Sequence, residues 1–245
     1  MIQPAIISPY DKTLAFPSVE TALQDPNGLL AVGGDLSATR LLVAYQNGIF
    51  PWFSSDQPIL WWSPDPRMVL FPGDCHVSRR LKKTIRQNKF QLTLDTHFED
   101  VMRACAQPRP NQPETWITPA MLQAYVELHQ QGYAHSFETW QNGKLVGGLY
   151  GIAIGQVFFG ESMFSFQTDA SKVAFVHAVS FLIQWGYELI DCQVTSEHLA
   201  SFGAADISRQ QFIQHLQHYT NLSPAASAWT LQDKKELMKE TANER

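Results

Sequence analysis

The sequence predicts a mixed α/β fold behind a small N-terminal domain, and three observations carry that prediction. Tyr133 to Trp140 and Lys144 to Ile154 alternate apolar and polar residues, joined by Gln141-Asn142-Gly143. Asn-Gly at that position favours a type I′ hairpin. Val157 to Phe164 follows across Gly155-Gln156 and makes a third strand of a meander. An amphipathic helix from Ala170 to Trp185 then leads to an apolar run, Leu189 to Val194. That strand must return beside the meander, which is a mixed-sheet arrangement with flanking helices.

Taken in order, residues 1–40 are rich in Pro, Gly and Ser, and Asp25-Pro26-Asn27-Gly28 is a turn cluster. Asp35 or Ser37 caps a helix from Arg40 to Asn47, which Gly48 ends. Gly33-Gly34 reads as a tight turn ahead of that cap. A phosphate cradle would want more glycines and a Lys. An aromatic patch comes next, with Trp52, Trp61 and Trp62 placing three of the seven tryptophans in eleven residues. It reads either as a Pro-stiffened plug joining two domains or as a stacking surface for a base. Trp52, in a loop between turn residues, is the best stacking candidate. Pro64 and Pro66 set a boundary near residue 65, giving a small N-terminal domain at 1–65 and a larger one at 66–245.

The segment from His76 to Asn88 predicts a helix capped by Ser78 and anchored by Leu81 and Ile85. Arg79, Arg80, Lys82, Lys83, Arg86 and Lys89 supply six of the 18 basic residues, with no acid between Asp74 and Asp95. A solvated face and a phosphate-contacting helix are both consistent with this run. Phe90 to Leu94 alternates as a strand, and His97 to Ala106 fits a helix. After a loop from Gln107 to Glu114, Thr118 caps a helix from Pro119 to Gln131, with Pro at its first position. Trp116 beside that cap is a second stacking candidate. Asp169 or Thr168 caps the Ala170 helix, whose Phe175, Val179 and Leu182 face inward, and Gly186 ends it. Gly147, Gly148 and Gly151 interrupt the second strand, the mark of a bulge or a close approach. Short helices follow at Ser196 to Phe202 and Ser208 to Tyr219. The last fifteen residues are polar and are expected to fray.

Composition narrows the class. The chain has 245 residues, 44% hydrophobic and 17% charged, an ordinary globular make-up. A net charge of −5 argues against nonspecific nucleic-acid binding by the whole surface but permits a local basic patch. Cys75, Cys105 and Cys192 are far apart and odd in number, so neither a zinc site nor a disulfide framework is expected. Reduced thiols and the lack of a signal-like N-terminus indicate a cytoplasmic protein. No apolar run of membrane-spanning length is present.

The chemistry concentrates between Phe158 and Gln193. Glu161 sits in one apolar strand, and Asp191 and Gln193 in the other. Polar groups there are costly to bury without a partner. Positions 191 and 193 share a parity and are expected on one face, with Cys192 pointing to the core. The order of elements resembles the GNAT acyltransferase core. The loop that would bind coenzyme A pyrophosphate in such proteins reads Ser165-Phe166-Gln167-Thr168-Asp169-Ala170-Ser171-Lys172. It has no glycine and sets Asp169 where phosphate needs bare amides, so an acyl-CoA-dependent N-acyltransferase is the disfavoured alternative.

The runs PNGLLAVGGDLS, YQNGIFPWFS, PILWWSPDPR, TWIT, GGLYG, GESMFS, ASK and LIDCQV, in that order, resemble the bacterial leucyl/phenylalanyl-tRNA–protein transferase family. They cover about residues 16 to 205. The resemblance implies a GNAT-like C-terminal domain and transfer of Leu or Phe, less well Met, from aminoacyl-tRNA. It implies acceptor proteins with N-terminal Arg or Lys, marked thereby for N-end-rule degradation. Such chemistry fits the residues. Trp52, Trp116, Tyr45 and Tyr125 are candidates to stack on or border the terminal adenosine. Leu149, Phe158, Phe175 and Ile190 are candidates for the Leu/Phe pocket, which discriminates by shape. Ala178 makes this pocket larger than is usual for the family. Arg79, Arg80, Lys82, Lys83 and Arg86 are candidates for tRNA phosphates. The ester is already activated, so no cofactor, metal or nucleophilic residue is expected. Asp191 and Gln193 are expected to orient the attacking amine, with Asp191 taking its proton, and Glu161 to fix the aminoacyl-adenosine end. Nothing in the sequence indicates a stable oligomer, and a monomer is expected.

Overall fold

The computed structural model describes residues 3–108 and 115–230. Residues 231–245, expected to fray, and residues 109–114 of the predicted loop lie outside them. The first part of the chain forms β1 (Ala5–Ile7), β2 (Leu29–Gly33), helix α1 (Ala38–Gln46), β3 (Phe50–Pro51) and β4 (Leu60–Trp62). These four strands make one sheet in the order β1-β2-β4-β3. Ser37 caps α1 by accepting the Arg40 N–H at 3.4 Å. The strands here are two to five residues long, too short for alternation to reveal them.

The rest runs β5 (Arg67–Leu70), α2 (Arg79–Arg86), β6 (Gln91–Leu94), α3 (Phe98–Cys105), α4 (Pro119–Gln130), β7 (Ala134–Gln141), β8 (Lys144–Ile154) and β9 (Val157–Ser165). It continues with α5 (Ala170–Gln184), β10 (Leu189–Gln193), α6 (Glu197–Ala200), β11 (Ala205–Ile207) and α7 (Arg209–Tyr219). The seven-stranded sheet has the order β11-β5-β10-β9-β8-β7-β6. β9 and β10 are parallel and their neighbours antiparallel, so the sheet is mixed, as the meander-helix-strand pattern predicts. Asn142 and Gly143 both take positive φ, +51° and +71°, as the I′ hairpin requires. At Gly151 the register of β8 against β9 shifts, and a Cβ there would lie 2.3 Å from the Phe159 carbonyl oxygen.

Two apolar layers cover the sheet. Val157 and Phe159 join one layer with α1, α3, α4, α7 and the small sheet, while Phe158 joins the other with α5. The first layer crosses residue 65 without a break: Tyr45, Phe50 and Trp61 share it with Tyr125, Tyr150 and Phe212. Tyr150 is fully buried there, and its hydroxyl has no hydrogen-bond partner among the described residues. Removing a buried hydroxyl that bonds to nothing releases a desolvation cost. Tyr150→Phe is therefore expected to leave the unfolding midpoint unchanged or raise it. A loss above about 1 kcal/mol in urea denaturation would show that the hydroxyl is bonded after all.

Helix ends follow side-chain chemistry. Ser78 accepts the Leu81 N–H of α2 at 3.2 Å, and Thr118 accepts the Met121 N–H of α4 at 3.2 Å. The predicted caps of α5 need correction. Asp169 holds the N-cap position with φ +67° but makes no capping bond. Its carboxylate instead accepts from Thr84 Oγ1 at 3.2 Å and faces Lys172 Nζ at 3.7 Å. Ser165 Oγ takes the Ser171 N–H from the end of β9.

Candidate active site

β10 runs beside β9 for three residues only, Leu189 to Asp191 against Val157 to Phe159. Beyond that point the two strands part. The cause is local to β10. Asp191 Oδ1 accepts the Gln193 N–H at 2.9 Å, Gln193 takes φ +64°, and the register against β5 shifts between them. The uniform strand parity expected for 191 and 193 therefore does not hold, and the strand ends at Gln193 rather than Val194. Cys192 does point into the second layer, where burial pushes its thiol pKa far up.

Glu161 lies in β9 just past the parting and is half-buried. Gln193 Nε2 donates to its Oε1 at 2.8 Å across the gap. Tyr45 from α1 donates to the same oxygen at 2.7 Å, and Tyr125 from α4 reaches Oε2 at 3.1 Å. The two phenol oxygens also form a short hydrogen bond with each other. Burial raises the Glu161 pKa to about 7, against the lowering effect of the Tyr45 and Tyr125 hydrogen bonds, with the Asp191 charge adding to the rise and the Gln193 bond opposing it. Both tyrosines are fully buried, and burial together with the Glu161 charge raises their own pKa values well above 10.0. They therefore stay protonated donors at neutral pH. Their assignment to adenosine stacking is corrected: rings with no exposed surface offer no face to a base.

Asp191 also departs from its expected role. It is fully buried, and Arg67 grips it twice, Nε to Oδ1 at 2.8 Å and Nη2 to Oδ2 at 2.7 Å. Arg67 is itself buried between the rings of Phe50 and Phe212, 4.7 and 4.5 Å from its guanidinium carbon, and donates to the Gly48 carbonyl. A carboxylate buried this completely and tied to a buried guanidinium is closed to a substrate amine. Sequence reading missed Arg67. Its signal was an arginine opening the apolar run Arg67-Met68-Val69-Leu70, the same anomaly that marks Glu161.

Trp52 is 44% exposed, and its carbonyl accepts from Trp62 Nε1 at 2.7 Å. Trp116 is partly buried against the first layer. Leu149, Phe158, Phe175 and Ile190 are all buried in the second layer, on the face opposite the tyrosines. A cavity of about 460 Å³ lies by the end of β9 and draws on both faces, with Ala104 and Phe164 from one and Met163 from the other, and is also lined by Ser165, Ser171 and His198. On α2, Arg79, Arg80, Lys82, Lys83 and Arg86 are all exposed, and none forms an ion pair among the described residues.

Residues 69–217 match the family model for leucyl/phenylalanyl-tRNA protein transferase, and residues 34–65 match that for its N-terminal domain. The protein of that name from Saccharophagus degradans is 58% identical over 218 residues, 89% of each chain. Its namesake from Azotobacter vinelandii is 58% identical over 217 residues, 89% of this chain and 96% of the relative. Among solved structures, a GCN5-related N-acetyltransferase from Kribbella flavida aligns with a TM-score of 0.36 and 11% identity, over 68% of this chain and 60% of that one. On the sequence matches, the chain belongs to the leucyl/phenylalanyl-tRNA–protein transferase family and is an aminoacyltransferase.

Proposed function

We propose that the protein transfers Leu or Phe, and Met less well, from aminoacyl-tRNA to the α-amino group of proteins beginning with Arg or Lys, marking them for N-end-rule degradation in the cytoplasm. We read residues 1–65 as a small N-terminal domain and 66–245 as the catalytic one, acting as a monomer. The observation that carries the chemistry is Glu161, a partly buried residue at the parting of β9 and β10 whose pKa of about 7 lets it take and return a proton near neutrality. It replaces Asp191 as the proton acceptor, because Asp191 is closed off by Arg67.

The neutral α-amine attacks the ester carbonyl carbon, forming the C–N bond. Glu161 accepts the proton that the nitrogen sheds. The C–O bond to the ribose then breaks, and the departing oxygen receives that proton, so one peptide bond and one free hydroxyl result. Gln193, tethered to Glu161, positions the amine. Asp191 acts through the chain: it fixes the Gln193 backbone and so the direction of that side chain. Trp52 and Trp116 stack the terminal adenosine. The layer of Leu149, Phe158, Phe175 and Ile190 holds the Leu or Phe side chain, and because it is closed in the free protein its packing must open to admit that side chain. The exposed cations of α2 contact tRNA phosphates by charge and shape.

The test is a transfer assay with labelled Leu-tRNA and a peptide carrying N-terminal Arg. Transfer to that peptide, and not to one with an acetylated N-terminus, is the expected result. No transfer, together with turnover of acetyl-CoA, would replace this reading with the acyl-CoA one. Reversing charge with Arg80→Glu and Lys83→Glu is expected to weaken use of full-length tRNA at least tenfold and to flatten its salt dependence, while sparing an aminoacyl-adenosine donor. Equal losses with both donors would remove α2 from tRNA binding.

A further inference from the structure

We infer that Tyr45 and Tyr125 are positioning residues that set how many protons Glu161 holds, by closing its carboxyl into a ring of three oxygen contacts behind the reacting face. The inference rests on the reading of Glu161 as the proton acceptor. The contacts are Tyr45 hydroxyl to Oε1 at 2.7 Å, Tyr125 hydroxyl to Oε2 at 3.1 Å, and the short bond between the two hydroxyls. Each contact needs one proton, and two phenols supply two. When Glu161 is ionised, the ring is one proton short. When it is protonated, each contact holds one. The ring thus has a place for the proton that the amine gives up, while phenol donation keeps the ionised form within reach despite burial.

Neither tyrosine meets substrate, since both are fully buried. The exchange with solvent or substrate therefore passes through Glu161 alone. The other groups facing Glu161 are accounted for. Gln193 from β10 donates to Oε1, and Asp191 adds negative charge that Arg67 of β5 binds. Tyr150 of β8 stands nearby, with Cys105 of α3 beyond it. Tyr150 is a built-in control, because its hydroxyl is buried beside the ring but bonds to none of the described residues.

The experiment is a pH titration of the Glu161 carboxyl by NMR, with ¹³C-labelled glutamate and the resonance assigned from Glu161→Gln. Tyr45→Phe and Tyr125→Phe each remove one donor to the carboxylate and are expected to move the midpoint to higher pH by about 1–2 units, the worth of one hydrogen bond to a charged group. Tyr150→Phe is expected to leave it in place. A midpoint unchanged in both ring variants, or moved as far by Tyr150→Phe, would overturn the inference. The pH–rate profile of transfer in the same variants separates the two readings. A rate limb that follows the NMR midpoint supports both. A midpoint that moves without the limb supports the ring but removes Glu161 as the proton acceptor.

Discussion

Glu161→Gln is expected to slow transfer by about 10²–10⁴-fold in single turnover with preformed aminoacyl-tRNA, the usual worth of a positioned acid–base group. The amide keeps the shape and can still bond to Tyr45, Tyr125 and Gln193, so tRNA affinity is expected to persist. Full-rate transfer by the variant would show that orientation alone drives the step. In the native protein the rate is expected to rise from pH 6 to 8, because Glu161 sheds its proton near 7 and the acceptor amine, with a reference pKa of about 7.7–8.0, becomes neutral over the same span. Stability has the opposite slope. Folded Glu161 keeps its proton up to about 7, whereas the ordinary carboxyl loses it near 4.5. Between those values the folded state holds the extra proton, so stability falls as pH rises through the window and levels off above it. Glu161→Gln has no such proton to lose. Its stability relative to the native chain is expected to improve between pH 5 and pH 8 in urea denaturation, and a constant difference would contradict the raised pKa.

Arg67→Met is expected to destabilise the fold by about 3–5 kcal/mol, the cost of leaving a buried partner charge uncompensated. The double variant Arg67→Met/Asp191→Leu is expected to recover a large part of that loss, since two apolar groups of similar volume avoid the orphaned carboxylate. Additive losses in the double variant would mean that the pair is not coupled. The native ion pair links four distant pieces: β5, β10, the Gly48 carbonyl and the rings of Phe50 and Phe212. Its removal is therefore expected to affect the kink at Gln193, and with it transfer, before global unfolding sets in.

The parts of this fold that local chemistry dictates were legible in the chain. Alternation and Asn142-Gly143 gave the meander, and Ser78 and Thr118 gave two helix starts, because each acts within a few residues. β5 was not legible. It is four residues between Pro66 and Pro72, yet it sits inside the large sheet. Glu161 and Gln193 stood out in the chain because polar side chains in apolar strands are costly. The same rule flagged Asp191 but could not name its partner, 124 positions away. Periodicity put Asp191 in the right strand, but its bond to Arg67 lies beyond what periodicity encodes. For Tyr45 and Tyr125 the residue type suggested a ring surface, whereas the structure uses their hydroxyls. Such a role depends on which oxygen three other elements bring near, and no spacing encodes that.

The separation of charge on this molecule bears on how it meets its donor. The chain is acidic overall, at −5, yet a third of its cations crowd the eleven residues from Arg79 to Lys89. If α2 contacts tRNA as proposed, a polyanion would be repelled by the net charge and drawn toward that one helix, so collisions would arrive already aimed. Capture speed would then be set by ionic strength, and the rate of the chemical step would not.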